Sequence, residues 1–309
     1  VRAARFVVCM VVMAAFLSGC PSSDGAVPSG QLRIATGSSG GVYFLYGGAI
    51  ADSVRRHLPE LKPSVLETAA SKENLRLVST GAAEIGFAQA DTSADFAADG
   101  KVVALARVYD DYLHLVVRVD KKIKTLDDLK TRRVSVGAQE SGTIGTARRL
   151  LVTQKIDPDR EIQAVTLGLD ASAAALEADQ IDAFFFSGGL PVARVAELAK
   201  KVPIEMVPIG QYASDMRASG GQYYTEHTVP ASTYGLQSVS TIGIPNFLVV
   251  SAGMPAETAY ALTRMLFEDQ GILQRAHPVA ARLNSRSAIY THPLALHPGA
   301  ARYFKEIKP

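Results

Sequence analysis

From Gln31 onward the sequence runs twice through one order of apolar strands and amphipathic helices, and this repetition restricts the fold more than any other feature. In the first block "LRIAT" is a short apolar strand. "VYFLYGGAIADSV" sets Val42, Leu45, Ala49, Ile50 and Val54 on one helical face. "PSVLET", "SKENLRLVSTG", "AEIGFAQ", the stretch after Asp91 and "VVALARVY" come next as strand, helix, strand, helix and strand. Ser71 is the expected N-cap of the second helix and Gly81 its stop. In the second block "RRVSVGA", "QESGTIGTARRLLVTQ", "IQAVTL", "DASAAALEAD", "QIDAFFFSGG", "LPVARVAELAKK" and "IEMVPI" repeat the alternation. "AEIGFAQAD" sits in the first block where "DQIDAFFFSGG" sits in the second. Such alternation predicts parallel strands covered by helices, hence an α/β fold of two similar lobes.

The joint between the lobes is expected near "LHLVVRVDKKIKTLDDLK", where Leu113 to Val119 reads as a strand and Thr125 with Asp128 as a capping pair. The return crossing is expected near "HTVPASTYGLQSVSTIG". "IPNFLVVSAG" then reads as a strand, and "PAETAYALTRMLFED" as a helix with Pro255 near its first turn. Residues 31–119 and 229–309 would form lobe 1, and 120–228 lobe 2. Two crossings between two lobes make a hinge.

Two glycine-rich loops, Thr36–Tyr43 and Gln139–Gly145, each come after a strand and open a helix. Ligands in open parallel sheets bind beyond the carboxyl ends of the strands. A helix N-terminus offers unpaired N–H groups and positive partial charge, and glycine lets the backbone approach an anion. Placed in matching positions of two lobes, the loops could grip one anionic solute from both sides. Taken singly, either could be a tight turn with a helix cap. At neighbouring strand ends lie Gln89 and Asp91, then Ser187, and Asn74 lies in the first turn of the helix begun by Ser71. Gln89, Asn74 and Ser187 could bond a carboxylate or ketone. Asp91 could accept from a ligand ammonium or cap the next helix. Tyr43, Phe185 and Phe186 could supply apolar walls, with burial in the sheet the ordinary fate of the two Phe. No Arg lies in either loop, although Arg33, Arg76 and Arg107 are near in sequence.

The first twenty residues differ in kind. Arg2 and Arg5 precede an apolar run from Phe6 to Leu17, and then comes Leu17-Ser18-Gly19-Cys20. This is the pattern of a signal peptide, and the run is short for a membrane span. The end resembles a bacterial lipobox, which implies cleavage after residue 19 and lipid on Cys20. Residues 20–30, rich in Pro, Ser and Gly, would be a flexible tether. The mature chain would be exported and lipid-anchored at the outer face of the membrane, with 30 basic and 30 acidic residues. Cys20 would be its only cysteine, so no disulfide, thiolate metal site or cysteine nucleophile is expected. The charge balance gives no reason to expect nucleic acid as a partner. The reading asks for no cofactor and no metal, and a monomer is expected.

Gly37-Ser38-Ser39-Gly40-Gly41 also matches Gly-x-Ser-x-Gly, the nucleophile elbow of α/β-hydrolases. A serine hydrolase with Ser39 as nucleophile is therefore the alternative from another class. It needs a histidine base backed by an acid. His114, His227, His277, His292 and His297 are the candidates, and none sits in a recognisable strand-end loop with an acidic partner. No catalytic residue is expected.

"RIATGSSGGVYFLYGGAIADSV" is similar to the opening of the TAXI-type solute receptors of tripartite ATP-independent periplasmic (TRAP) transporters. "SKENLRLVSTGAAEIGFAQAD", "VGAQESGT", "QIDAFFFSGGLP" and the terminal "LHPGAARYF" resemble further motifs of that family, in the same order. The resemblance covers about residues 31–305. Ala69-Ala70 stands where the family commonly has Gly, and Ala90 where a polar residue is frequent. The resemblance implies a two-lobed, type II periplasmic-binding-protein-like fold that catalyses nothing. It implies a ligand such as glutamate, glutamine or a 2-oxo dicarboxylate, delivered to a TRAP permease. A sensor subunit that binds the same ligand and signals to a membrane kinase is a second use of such a receptor. The implied contacts are Ser39, Gly40, Gly41 and Tyr43 on one side, Asn74, Gln89 and Asp91 flanking, and Ser141, Gly142 and Thr143 opposite, with Ser187 beside them. His297 and Pro298 would be structural.

Overall fold

The computed structural model describes residues 28–308; the signal-peptide motif and Cys20 lie outside them. The chain opens with β1 (Gly30–Ala35), α1 (Val42–His57), β2 (Leu61–Leu66), α2 (Ser71–Ser79), β3 (Ile85–Gln89), α3 (Ala90–Ala97) and β4 (Val102–Arg118). It continues with β5 (Arg133–Ser135), α4 (Gly142–Thr153), β6 (Gln163–Val165), α5 (Leu169–Glu177), β7 (Ala183–Gly188), α6 (Ala193–Lys201) and β8 (Ile204–Met206). After α7 (Ala213–Gly220), β9 (Thr225–Val229) and α8 (Ala231–Tyr234) comes β10 (Val239–Ser251). The chain ends with α9 (Ala256–Glu268), α10 (Gln270–Ala276), α11 (Ser285–Ala288) and α12 (Pro298–Glu306). None of these helices is long and apolar enough to cross a membrane.

The strands join in the order β2-β1-β3-β10-β4-β7-β5-β6, with β8 on β4 and β9 on β10. β1, β2 and β3 are parallel, as are β5, β6 and β7. The two parallel halves are held together by β4 and β10, which run antiparallel to their neighbours. The expected strands "VVALARVY" and "LHLVVRV" are one element: β4 pairs with β10 through residues 102–112 and with β7 from Tyr112 to Val117. β10 changes partners in the same region. Its first residues pair with β9 up to Gly243, and Asn246 to Val250 pair with β3. The partner exchange, with its register shifts at Asn246/Phe247 and Leu248/Val249, is the bridge between the halves.

The halves echo each other in atomic detail. In the second half of β1, level with the start of β3, Arg33 forks onto Glu84 (Nη2–Oε1 2.6 Å) and donates to Gly81 O. At the start of β5, Arg133 forks onto Asp182 (Nη2–Oδ1 2.8 Å) and donates to Asp179 O. Each acid also accepts from the backbone N–H of its own arginine. Both pairs staple a parallel strand to the turn before its neighbour, at the end away from the glycine-rich loops. Helices cover both faces, as apolar strands such as the wholly buried β3 require. The buried stripe of α1 includes Val42, Tyr46, Ala49, Ile50 and Val54; Leu45, expected there, is 40% exposed because Tyr46 completes the i, i+4 row instead. Thr125 and Asp128 do bond each other, but they open a single 3₁₀ turn in place of the expected helix.

Candidate functional site

The carboxyl ends of β1, β3, β5 and β7 point into one cleft between the halves. The cavity there measures about 170 Å³. Four helices begin on its walls: α1 at Gly41, Val42 and Tyr43, α2 at Ala70 and Ser71, α4 at Ser141, Gly142 and Thr143, and α5 at Gly168 and Leu169. Each is at least two turns long, so each contributes positive partial charge and first-turn N–H groups. Among the described residues, lysine, arginine and histidine are absent from the lining. The arginines near in sequence are engaged elsewhere: Arg33 with Glu84, Arg76 with Glu73 and Arg107 with Asp110.

Of the residues expected from sequence, Gly41, Tyr43, Gln89, Ser141, Gly142, Thr143 and Ser187 line this cavity. Tyr43 is buried with its ring stacked on Phe87 at 5.0 Å, and its hydroxyl reaches Ser71 Oγ and the Asn246 carboxamide. Burial pushes the Tyr43 phenol well above its ordinary pKa, so it stays a neutral donor. Ser141 caps α4 by accepting from Ile144 N at 3.2 Å and donates to Ala138 O at 2.7 Å. Gly142 packs against the other half: a Cβ there would collide with Gln89 Oε1 and lie 2.8 Å from Ser71 Oγ. Thr143 accepts from Ser187 N, and Ser187 bonds Gln89 Nε2. Phe186 lines the cavity while Phe185 is buried in the sheet.

Four expected contacts fall outside the lining. Ser39 is exposed and spends its N–H on Glu67 (2.8 Å). Gly40 faces Asp170 across the gap, where a Cβ would meet Oδ1 at 3.0 Å. Asn74 is a buried strut: its Nδ2 donates to Thr36 O and Phe87 O, and its Oδ1 accepts from Thr68. Asp91 accepts from Thr146 (2.6 Å) and Tyr224 (3.0 Å) of the second half, with Arg149 at 3.7 Å. Thr92 N also donates to it within the first turn, but Asp91 is the second residue of α3 and Gln89 holds the N-cap position, so Asp91 ties the halves together and is not the helix cap. Ser71 is the first helical residue rather than the N-cap; Ala70 takes that place at φ 88°, and the Ser71 hydroxyl accepts from Gln89 N.

The triad that a Ser39 nucleophile needs is not assembled among the described residues. No histidine among the described residues bonds Ser39. His114 is tied to Tyr112 O and Tyr234, His277 to Pro191 O, and His297 to Met254 O, each far along other elements. His277 and His297 instead cap helical turns by accepting from Val279 N and Gly299 N.

The floor of the cavity holds residues that sequence motifs passed over. Asp111, in the middle of β4, is 2% exposed and lines the cavity beside Tyr109. Its Oδ2 accepts from Gln89 Nε2 at 2.7 Å, with Ser187 Oγ at 3.5 Å. Burial raises its pKa to about 7, although the Asn246 and Gln89 amides pull it down. Two adjacent acids, Asp110-Asp111, inside an apolar run were the available signal. The halves also meet directly around the cavity: Lys72 N and Glu73 N both donate to Glu140 O, and His277 reaches Pro191 O.

Two parallel α/β halves bridged by a pair of antiparallel strands, with helix N-termini facing a shared cleft, define the type II periplasmic-binding-protein fold. The chain belongs to the NMT1-like family, whose model matches residues 34–307. Solved structures of similar fold include the periplasmic aliphatic sulphonate binding protein SsuA from Escherichia coli. It is 18% identical, with TM-score 0.52, covering 91% of this chain and 84% of that one. The alkanesulfonate-binding protein SsuA from Xanthomonas axonopodis pv. citri, bound to MOPS, is 16% identical with TM-score 0.50, covering 92% and 86%. An ancestral arginine-binding protein bound to arginine is 13% identical with TM-score 0.54, covering 81% and 97%.

Proposed function

We propose that this protein is an extracytoplasmic solute receptor of the TAXI type, which captures a small carboxylate and delivers it to a TRAP permease. The observation that carries the reading is the convergence of four helix N-termini on one cavity that, among the described residues, no basic side chain lines. Such a site binds an anion through backbone N–H groups and helix dipoles. The solute class is a small carboxylate: glutamate, glutamine or a 2-oxo dicarboxylate. The NMT1-like family membership, and a fold shared with proteins named for binding sulfonates and arginine, support a binding role over catalysis. Residues 31–119 with 229–309, and residues 120–228, act as lobes that close about β4 and β10. Binding energy shifts the open–closed equilibrium, and the permease reads the closed form. The protein is a lipid-anchored monomer held at the outer face of the membrane by Cys20.

A thermal-shift screen of amino acids and 2-oxo acids, followed by calorimetry on the hits, tests the reading. A stabilising carboxylate with micromolar or better affinity supports it. A screen in which no carboxylate shifts the melting temperature defeats it.

A further inference from the structure

The cavity is electrically lopsided. Helix N-termini supply positive partial charge on its walls, while its floor carries a carboxyl group. Asp111 Oδ1 is buried without a hydrogen-bond partner, and so is Gln89 Oε1 beside it. Two buried acceptor oxygens with no donor are costly, and Asn246 Nδ2 and the Tyr109 hydroxyl beside them are unpaired as well, so the corner has open positions for a guest around one carboxyl group. The titratable groups that face Asp111 do not provide a cation. Asp110 lies on its own strand, Asp91 on α3, Tyr43 on α1 and Tyr109 next along β4, all acidic or neutral.

We propose that Asp111 is the specificity-determining residue of the cleft: it selects a solute that carries a protonated amine as well as a carboxylate, and that solute's binding releases the Asp111 proton. This rests on the solute-receptor reading and narrows it to the amino-acid class. The carboxylate of the ligand meets the helix N-termini, and its ammonium meets Asp111 Oδ1 and Gln89 Oε1. In the empty cleft near neutrality Asp111 is partly protonated, because burial disfavours the charged form. An arriving ammonium makes the ionised form the favoured one, and the proton leaves to solvent. A 2-oxo acid, which brings oxygens in place of the ammonium, has the opposite requirement, because it needs Asp111 protonated.

The two cases have opposite pH signatures. For an amine ligand, affinity rises about tenfold per pH unit up to about pH 7 and then levels off. For a 2-oxo acid, affinity falls as pH rises above about 7. The experiment is calorimetry on the full chain at pH 5.5, 7.0 and 8.5, in buffers of different ionisation enthalpy, with glutamate and glutamine and with 2-oxoglutarate. The expected result is tightening of the amino acid with pH and release of close to one proton at pH 6. Asp111→Asn should lose about 100-fold in amino-acid affinity and abolish the pH dependence. The proton count on the unaltered protein decides the matter should that variant fold poorly. Binding of 2-oxoglutarate in preference to the amino acids, or weakening with rising pH, overturns this inference and leaves the receptor reading standing. No binding by any carboxylate overturns both.

Discussion

The two glycine-rich loops hold equivalent places in the two halves, yet they finish their helices differently. The loop after β5 closes on itself: Ser141 caps α4 with its own hydroxyl, and Gly142 abuts Gln89. The loop after β1 ends at Gly41, and no side chain caps α1. One helix end thus has its Ile144 N–H capped within the protein and its Gly142 set against the other half. The other keeps its first-turn N–H groups free of side-chain caps, as the proposed binding of an anion requires. Sequence repetition set the two loops in register; the difference between Ser141 and Gly41 divides the labour.

The sharpest test of that division is Gly142→Ala. A methyl at 142 collides with the Gln89 carboxamide across the junction of the halves, and overpacking of this kind costs about 1–3 kcal/mol. Solute affinity should fall by about 10- to 100-fold, measured by calorimetry. Gly41→Ala, whose Cβ would meet Ser38 O at 3.1 Å and Ser38 Oγ at 3.5 Å, should cost less. Equal losses at 41 and 142 would erase the distinction between a contact glycine and a guest-facing one.

Asn74→Ala is next in size. Two backbone carbonyls and the Thr68 hydroxyl lose their partner, so ligand-free stability in urea should drop by about 2 kcal/mol. A variant that unfolds like the unaltered protein but fails to bind would return Asn74 to the role expected from sequence. Ser141→Ala should then cost about 1 kcal/mol of stability through the lost cap. Ser38→Ala in the other loop should stay within about 0.5 kcal/mol. An effect of similar size runs the other way. Ala70 is held at φ 88°, where a side chain is strained, so Ala70→Gly should gain about 0.5 kcal/mol despite the added freedom of the unfolded chain. Loss of stability in that variant would mean that the methyl packs for its place.

What the sequence displayed was local. Strand and helix could be read because apolar spacing is set by neighbours three or four residues away, and the glycine loops because helix starts have few solutions. The rhyme of "AEIGFAQAD" with "DQIDAFFFSGG" was legible too, and it surfaces as the paired forks Arg33–Glu84 and Arg133–Asp182. Partners distant along the chain stayed hidden. Asp91 shows its role only once Thr146 and Tyr224 are folded against it. Asp110 and Asp111 looked like a break between strands because two acids seldom sit inside one. The register of β4 on β10 is what makes them continuous, and it sets Asn246 opposite Tyr109 at the cavity floor. No periodicity in either segment encodes that pairing.

The long strands have a mechanical consequence. Asp111 pairs with Ile244 in the very stretch where β4 and β10 trade one set of neighbours for the other. In the closure proposed above, bending there makes these residues the fulcrum and sets the starts of α1 and α4 on the moving jaws. A solute lodged against the fulcrum is tested by groups that hardly travel before the jaws arrive. Inspection would then come ahead of capture, and a wrong guest could leave before the mouth shuts.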